Sequence, residues 1–233
     1  MIAARQIAFG RGKVASEELP ANWWLCFTAE EAGSTIAMST SGTNPPAVTL
    51  ETSFDGDVWE PFIVGDTTVT LQSVGDKVYF RAGEGGNLRF AYAVSDFNPI
   101  RYNFFVLTGR MAASGSIQSL LDGEKEINYV NTYSFSYLFN GCKSLTSAPM
   151  LPAAKLAKHC YMRVFINCSN LSLVKVNWNN FSNATSTSGY TYLWLKNTLP
   201  TGTFICPTAL GTNETIKRGT SFCPEGWTVI NED

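Results

Sequence analysis

Few residues of this 233-residue chain have the types and spacing that metal binding requires. Its one histidine, His159, directly precedes Cys160, and Cys168 is the next cysteine along the chain. Structural zinc sites usually take pairs of cysteines separated by about two to four residues, and this chain has no C-x-x-C pair. We therefore predict no metal site. The even count of six cysteines permits disulfides, but buried free thiols that pack as small apolar side chains are the favoured interpretation.

The residues that catalysis would need are equally sparse. Asp55 and Asp57 flank Gly56, and clustered carboxylate oxygens can bind calcium, yet the loop pattern of an EF-hand is absent. A serine or cysteine nucleophile would have to use His159 as its base. The G-x-S-x-G, phosphate-loop and H-E-x-x-H motifs are missing. We predict no catalytic residue, no cofactor and no enzymatic activity.

Aromatic rings are the remaining chemistry that the composition offers, at 13% of the chain. Exposed tryptophans can stack on sugar rings or anchor a protein partner, and the candidate contacts are Trp59, Trp178 and Trp194. Because most tryptophans in small β proteins are largely buried, packing in the core is the competing interpretation for each of them.

The charge pattern excludes two classes of partner. Charged residues make up only 15% of the chain and the net charge is −2, with no basic stripe to neutralise phosphates. We therefore expect no nucleic-acid binding. No apolar run approaches the ~20 residues that span a bilayer, so we expect no membrane insertion. The high content of Ser, Thr, Asn and Gly is typical of proteins that act outside the cytoplasm or inside an assembly.

The elements that would position these residues begin with a β-rich half. Turn signals such as Asp55-Gly56 separate short runs in which apolar and polar residues alternate, as Val69 and Leu71 do with threonines. Such spacing is typical of a β-sandwich or barrel, which we predict for residues 22–108. The predicted strands cover residues 23–28, 35–38, 48–52, 58–63, 67–71, 77–81, 88–94 and 102–108.

An internal repeat follows. Residues 134–146 (SFSYLFNGCKSLT) align with residues 160–172 (CYMRVFINCSNLS) at an offset of 26 residues. This period lies within the range of roughly 20–29 residues of leucine-rich repeats. We predict a short leucine-rich-like β-solenoid over residues 109–185 with a C-terminal cap over residues 186–233. Two copies are fewer than a solenoid normally needs, so the neighbouring segments must cover its ends and the chain should unfold as one cooperative unit.

The repeat resembles a known family. Residues 137–153 (YLFNGCKSLTSAPMLPA) are similar to the BspA-type leucine-rich repeat, which runs M-F-x-G-C-T-S-L-T-x-A-P-x-L-P-A. Residues 202–207 and 223–229 resemble the terminal cap of the same proteins, and residues 27–35 and 73–81 resemble the β-module that often precedes the repeats. The second copy departs from the pattern, because LVKVNW stands at residues 173–178 in place of A-P-x-L-P.

The resemblance implies a function. Proteins of this type occur on gut bacterial surfaces and in the virions of their phages, including crAss-like phages, and the family contributes no catalytic residues. We expect a non-enzymatic phage virion structural protein, either a capsid decoration or head fibre or a tail-associated component. It would lie on the virion surface, contact other virion proteins and form a homo-oligomer. The alternative is an extracellular bacterial cell-surface adhesin that binds a host protein or glycan.

The first residues of the chain belong to no predicted core. Residues 1–10 carry a charge after four residues and lack a long apolar run, so they do not resemble a secretory signal. We expect residues 1–21 to form an N-terminal arm that is either loose or ordered against a partner. The side chains that would dock such an arm are Ile2, Arg5, Ile7, Phe9 and Arg11.

Overall fold

The protein is described from a computed structural model, which covers residues 23–93, 100–124, 127–181 and 189–233. Within these ranges the chain is mainly β, with two short 3-10 helices at Ile117–Leu120 and Thr208–Leu210. The helices among the described residues are far too short to cross a membrane. The N-terminal arm predicted over residues 1–21 lies outside the described residues.

Two antiparallel sheets make up the first half. The first has the strands β1 (Leu25–Ala29), β3 (Leu50–Ser53), β4 (Glu60–Phe62), β6 (Lys77–Ala82) and β9 (Met111–Ser114), in the order β4-β3-β6-β1-β9. The second has the strands β2 (Ser34–Ser41), β5 (Thr68–Leu71), β7 (Ala91–Tyr92) and β8 (Arg101–Thr108), in the order β5-β2-β8-β7. Each sheet keeps two edge strands, so the described sheets form no closed barrel, and the barrel alternative does not apply to them.

The two sheets face each other across a core of aromatic rings. Successive side chains of a strand point to opposite faces, and in β6 this alternation buries Val78 and Phe80 while Lys77 is exposed. Phe105 of the second sheet meets Phe27 and Phe80 of the first edge-on, with ring centroids 5.2 and 5.5 Å apart. Such T-shaped contacts are a favoured arrangement of aromatic pairs.

The two copies of the repeat lie directly against each other. The amide N–H groups of Phe135 and Phe139 donate to the carbonyl oxygens of Cys160 and Val164, each at 2.9 Å. The Phe139 ring stacks on that of Phe165, its equivalent one copy later, with 5.3 Å between centroids. Cys142 and Cys168, which also match in the alignment, are both buried in this layer. The predicted equivalence of these positions is confirmed by their contacts.

A parallel ladder runs along one side of the second half. The strands β10 (Leu173–Lys175), β11 (Gly202–Cys206) and β12 (Trp227–Asn231) form a parallel sheet in that order. Isolated parallel bridges continue the ladder towards the first half, from Leu173 to Ser147 and from Leu145 to Met111. Strand β9 therefore pairs with β1 and also begins this ladder.

A third copy of the turn geometry follows the two that the sequence reveals. Positive φ angles recur four residues apart, at Tyr137 and Gly141, at Arg163 and Asn167, and at Leu193 and Asn197. The amide N–H of Phe165 donates to the carbonyl oxygen of Trp194 at 3.0 Å, as Phe139 does to Val164. Residues from about 190 to 206, which the sequence assigned to the cap, thus repeat the hydrogen bonding of the preceding copies.

The β-rich half covers one end of these stacked copies. The Phe105 amide donates to the Leu138 carbonyl at 2.8 Å, and the Phe105 and Phe139 rings stack with centroids 5.1 Å apart. One continuous hydrophobic core extends from Leu25 to Val229. The two halves therefore share their interior.

Candidate recognition surface

One side of the molecule gathers tyrosine and arginine side chains from both halves. The set, called here the tyrosine–arginine face, consists of Tyr92, Tyr102, Tyr137, Arg163 and Tyr192, all of them half-buried. Strands β7 and β8 supply the first two, and the three stacked copies supply the others. Tyrosine and arginine are the side chains most enriched at the energetic centres of protein interfaces.

The rings of the face are held in fixed positions by one another. The Tyr102 and Tyr137 rings stack with centroids 4.5 Å apart and 16° between their planes. Arg163 Nη1 donates to the Tyr137 hydroxyl, and the guanidinium lies 5.5 and 5.7 Å from the centroids of Tyr137 and Tyr192. Burial raises the pKa of Tyr137, although Arg163 opposes the shift, so its hydroxyl stays neutral at physiological pH. A rigid, partly exposed ring cluster can bind a partner with little loss of side-chain entropy.

The spacing of the repeat explains why Tyr137 and Arg163 meet. They occupy equivalent positions 26 residues apart, and both have positive φ angles, of 62° and 53°. A left-handed backbone costs a non-glycine residue roughly 1–2 kcal/mol, so the stacked layers must hold this geometry. Tyr137 and Arg163 are matched when residues 134–146 are aligned with residues 160–172, so the sequence does contain a signal for this contact.

The outer surface of β8 extends the face. Tyr102, Phe104 and Val106 point away from the core, and Val106 is 41% exposed. Their neighbours on β2 are Ser41, Ser39 and Ala37, whose small side chains leave the β8 side chains uncovered from that direction. The result is an apolar strip that is continuous with the stacked Tyr102 and Tyr137 rings.

Trp59 is the one candidate tryptophan that reaches the surface. It is half-buried, and its ring meets Trp24 edge-on at 5.0 Å between centroids. The Arg81 guanidinium lies 4.1 Å from the centre of the Trp59 ring, and Arg81 Nε is 2.7 Å from Glu51 Oε2. One face of the Trp59 ring is thus covered by a cation.

Glu51 and Arg81 also line a groove. The groove has a volume of about 840 Å³, and residues 121–124 and Tyr129 are among the others that line it. Tyr129 is 50% exposed, and Glu84 and Glu124 also line the space. An exposed ring among charged residues suits a polar ligand with one apolar face.

The structure corrects the other two candidate tryptophans. Trp178 and Trp194 are 1% and 0% exposed, so neither can offer its ring to a glycan. Trp178 stacks on Tyr161 with 5.3 Å between centroids and lies 5.5 Å from Trp194, which places both inside the layers of the repeat. The proposed arm residues Ile2, Arg5, Ile7, Phe9 and Arg11 lie outside the described residues.

The nucleophiles and the histidine are withdrawn from solvent. His159 is 4% exposed, and its ring stacks on Tyr133 at 4.5 Å. All six cysteines are free thiols and all are buried. Burial raises the pKa of the Cys160 thiol from 9.0 to about 12 and also raises those of Cys142 and Cys168.

We therefore predict that folding protects the cysteines from alkylation. A shift from 9.0 to about 12 at Cys160 lowers the thiolate fraction at mildly alkaline pH about a thousandfold, and the thiolate is the reactive form. Mass spectrometry after iodoacetamide treatment should find the native protein almost unmodified. Treatment in denaturant should add six carbamidomethyl groups, one for each free thiol. Rapid modification of the native protein would contradict the burial of these residues.

Comparisons with models of protein families, with curated proteins and with solved structures find no match for this chain. The class of this protein is therefore described by its fold and by the side chains on its surface. It is a mainly β protein with an interior shared by its two halves and a surface cluster of stacked tyrosines around an arginine.

Proposed function

We propose that this protein is a non-enzymatic structural component of a phage virion, either a capsid decoration or head fibre or a tail-associated component, that presents a recognition surface. The observation that carries the proposal is the tyrosine–arginine face, because stacked half-buried tyrosines around an arginine are typical of protein-binding surfaces. The resemblance of residues 137–153 to BspA-type repeats, which occur in virion proteins, supports the placement on a virion.

We infer that residues 109–185, together with the described residues from about 190 to 206, wind into a short BspA-type solenoid. The backbone hydrogen bonds between residues 135–141 and 160–166, and between residues 161–167 and 190–196, support this inference. The β-rich half would seal one end of the solenoid through Phe105, and the segment after Cys206 would seal the other. On this interpretation the solenoid serves as a rigid scaffold for the face.

The buried thiols and histidine support a function without catalysis. A cysteine nucleophile acts as its thiolate and needs access to substrate, whereas burial raises the pKa values of Cys142, Cys160 and Cys168. His159 is likewise covered, being 4% exposed. Binding is then the activity that the accessible side chains favour.

The proposal is tested on purified particles. Mass spectrometry of virions from the phage that encodes this chain should detect the protein at a stoichiometry consistent with a repeated surface component. Its absence from the particle would reject the proposal. The genomic neighbourhood gives an independent readout, because capsid and portal genes beside this gene would support the virion role.

The groove lined by Arg81 and Tyr129 favours one alternative, an extracellular adhesin that binds a glycan. A volume of about 840 Å³ is in the range of small-molecule sites, and the exposed Tyr129 ring could stack on a sugar. In this case neighbouring genes for polysaccharide utilisation are expected. A glycan array with the purified protein would then detect binding, and a hydrolysis screen would find no turnover.

Two single substitutions separate the two functions. If the tyrosine–arginine face binds the partner, Tyr192→Ala should reduce incorporation into particles at least about fivefold, because truncating a tyrosine that anchors an interface costs more than about 1 kcal/mol. Tyr129→Ala, in the groove, should leave incorporation unchanged. If the groove binds a glycan, the same two variants should exchange roles in a glycan-binding assay. Circular dichroism should confirm that both variants are folded.

A further inference from the structure

The hairpin between β3 and β4 displays apolar side chains to solvent. Phe54 is 65% exposed and Val58 is 63% exposed, although both sit in a short turn of residues 53–60. Isolated exposed apolar residues are common, but two large ones four residues apart in one turn, called here the apolar tip, mark a candidate contact surface. Aromatic side chains such as Phe54 are enriched in protein interfaces.

The turn that carries this tip is rigid. Asp55 Oδ1 accepts hydrogen bonds from the amides of Asp57 and Val58, at 2.8 and 3.0 Å, and from the Ser53 hydroxyl at 2.8 Å. The Ser53 hydroxyl oxygen in turn accepts from the Gly56 amide at 2.8 Å. These bonds lower the pKa of Asp55 and keep its carboxylate charged. A fixed turn presents Phe54 and Val58 without the entropy cost of ordering a loose loop.

The apolar tip has an acidic border. Asp55, Asp57 and Glu60 are exposed, and residues 53–60 contain no basic side chain. A complementary surface must therefore combine apolar and basic side chains, because like charges at an interface repel. Anionic lipid headgroups and nucleic acids are disfavoured by the same border.

We propose that this hairpin is the docking site for residues 1–16 of a neighbouring copy of the protein. That segment carries Arg5, Arg11 and Lys13 with no acidic residue, and it contains the large apolar residues Ile2, Ile7 and Phe9. It thus has both properties that the hairpin requires. The inference deepens the proposed function and rests on it, since it names the partner of the docking arm.

The proposed function favours the segment of a neighbouring copy. Copies arrayed side by side on a particle would hold residues 1–16 of one copy at high effective concentration near the hairpin of the next. Glu17 and Glu18 follow this segment in every copy, so the choice between copies rests on the array and not on charge.

Photo-crosslinking of the full chain tests the docking. Phe54 is replaced by p-benzoylphenylalanine, and equal amounts of isotopically light and heavy protein are mixed, irradiated and digested. The expected result is mixed light–heavy peptides that join position 54 to residues within 1–16. Crosslinks only within one copy, crosslinks only to other segments, or the absence of crosslinks would each overturn the inference.

Variants of the border and the tip supply the controls. Val58→Ser should lower the yield of mixed crosslinks about tenfold, because it removes an apolar side chain that the partner would bury. The double variant Asp57→Asn with Glu60→Gln should do the same, because it removes two charges that attract the basic segment. Leu88→Ser is the matched control, because Leu88 is an exposed apolar residue, at 58%, away from this turn. Unchanged yields in the tip and border variants would reject the site. If the protein is present in virions and these crosslinks are absent, this inference fails and the proposed function stands.

Discussion

The substitution Phe139→Ala is expected to destabilise both halves of the molecule together, by about 3–5 kcal/mol, the usual cost of truncating a buried phenylalanine. Phe139 is fully buried and packs against the rings of Phe27, Phe105 and Phe165. Its centroid lies 5.1 Å from that of Phe105 in the β-rich half, and 5.3 Å from that of Phe165 in the next copy of the repeat. A cavity at this position removes packing from both halves at once.

The expected transition is single because the interior is shared. The hydrophobic core is continuous from Leu25 to Val229, so a cavity in it weakens the packing of both halves. Urea denaturation followed by tryptophan fluorescence and by far-ultraviolet circular dichroism should give coincident curves for the parent and for the variant. The midpoint should fall with little change in slope.

Phe104→Ala supplies the matched control. Phe104 is half-buried on the outer surface of β8, one residue from the core ring of Phe105, so its truncation should cost far less. Two separate transitions in the Phe139→Ala variant, or a β-rich half that stays folded after the repeats have melted, would contradict a common core. The halves would then be separable domains.

The sequence predicts the strands of the first half well, for a local reason. Alternation and turn residues act within a few positions, and each of the eight predicted segments contains at least part of a strand, as residues 77–81 do in β6. Sequence alone could not choose between an open pair of sheets and a barrel, because closure depends on which edges pair. Strand β9 is not predicted from the sequence, because residues 111–114 (MAAS) include no β-branched or aromatic residue.

The third copy of the repeat is not predicted from the sequence, because its spacing and its side chains differ from those of the first two copies. Arg163 and its equivalent Leu193 are 30 residues apart, whereas Tyr137 and Arg163 are 26 residues apart. Thr191 also stands where the earlier copies have Phe135 and Tyr161, so the apolar pattern is weakened. The backbone keeps its positive φ angles and its ladder, neither of which a composition pattern records.

The candidate site was predictable only in part. Trp59, Trp178 and Trp194 are alike in sequence, and only the layers of the fold decide that Trp59 reaches the surface while the others are buried. The tyrosine–arginine face combines residues from β7, β8 and three copies of the repeat. Such long-range assembly follows from the stacking of the copies on the β-rich half, which no local pattern specifies.

Arg218→Met is expected to lower the free energy of unfolding by about 2–3 kcal/mol, because it removes charge-assisted hydrogen bonds to backbone carbonyl groups. Arg218 Nη1 donates to the carbonyl oxygens of Trp227 and Pro224, at 2.6 and 3.1 Å. Its Nη2 donates to the Asn213 side chain at 2.9 Å, and that same oxygen accepts from the Val229 amide at 3.1 Å. Methionine keeps the length of the aliphatic stem and loses these bonds. Chemical denaturation measures the difference.

The same contacts protect the end of the parallel ladder. Strand β12 is the edge of its sheet, and Arg218 with Asn213 occupies the outward-facing Trp227 carbonyl and Val229 amide. The unpaired backbone N–H and C=O groups of an uncovered edge strand readily form hydrogen bonds with other chains. Analytical ultracentrifugation should therefore detect stronger concentration-dependent association of Arg218→Met than of Lys217→Met, which removes an equal charge from an exposed neighbour. If Arg218→Met is as stable as Lys217→Met and associates no more strongly, Arg218 does not protect the edge of strand β12. The proposal that the C-terminal segment seals the parallel ladder would then be rejected.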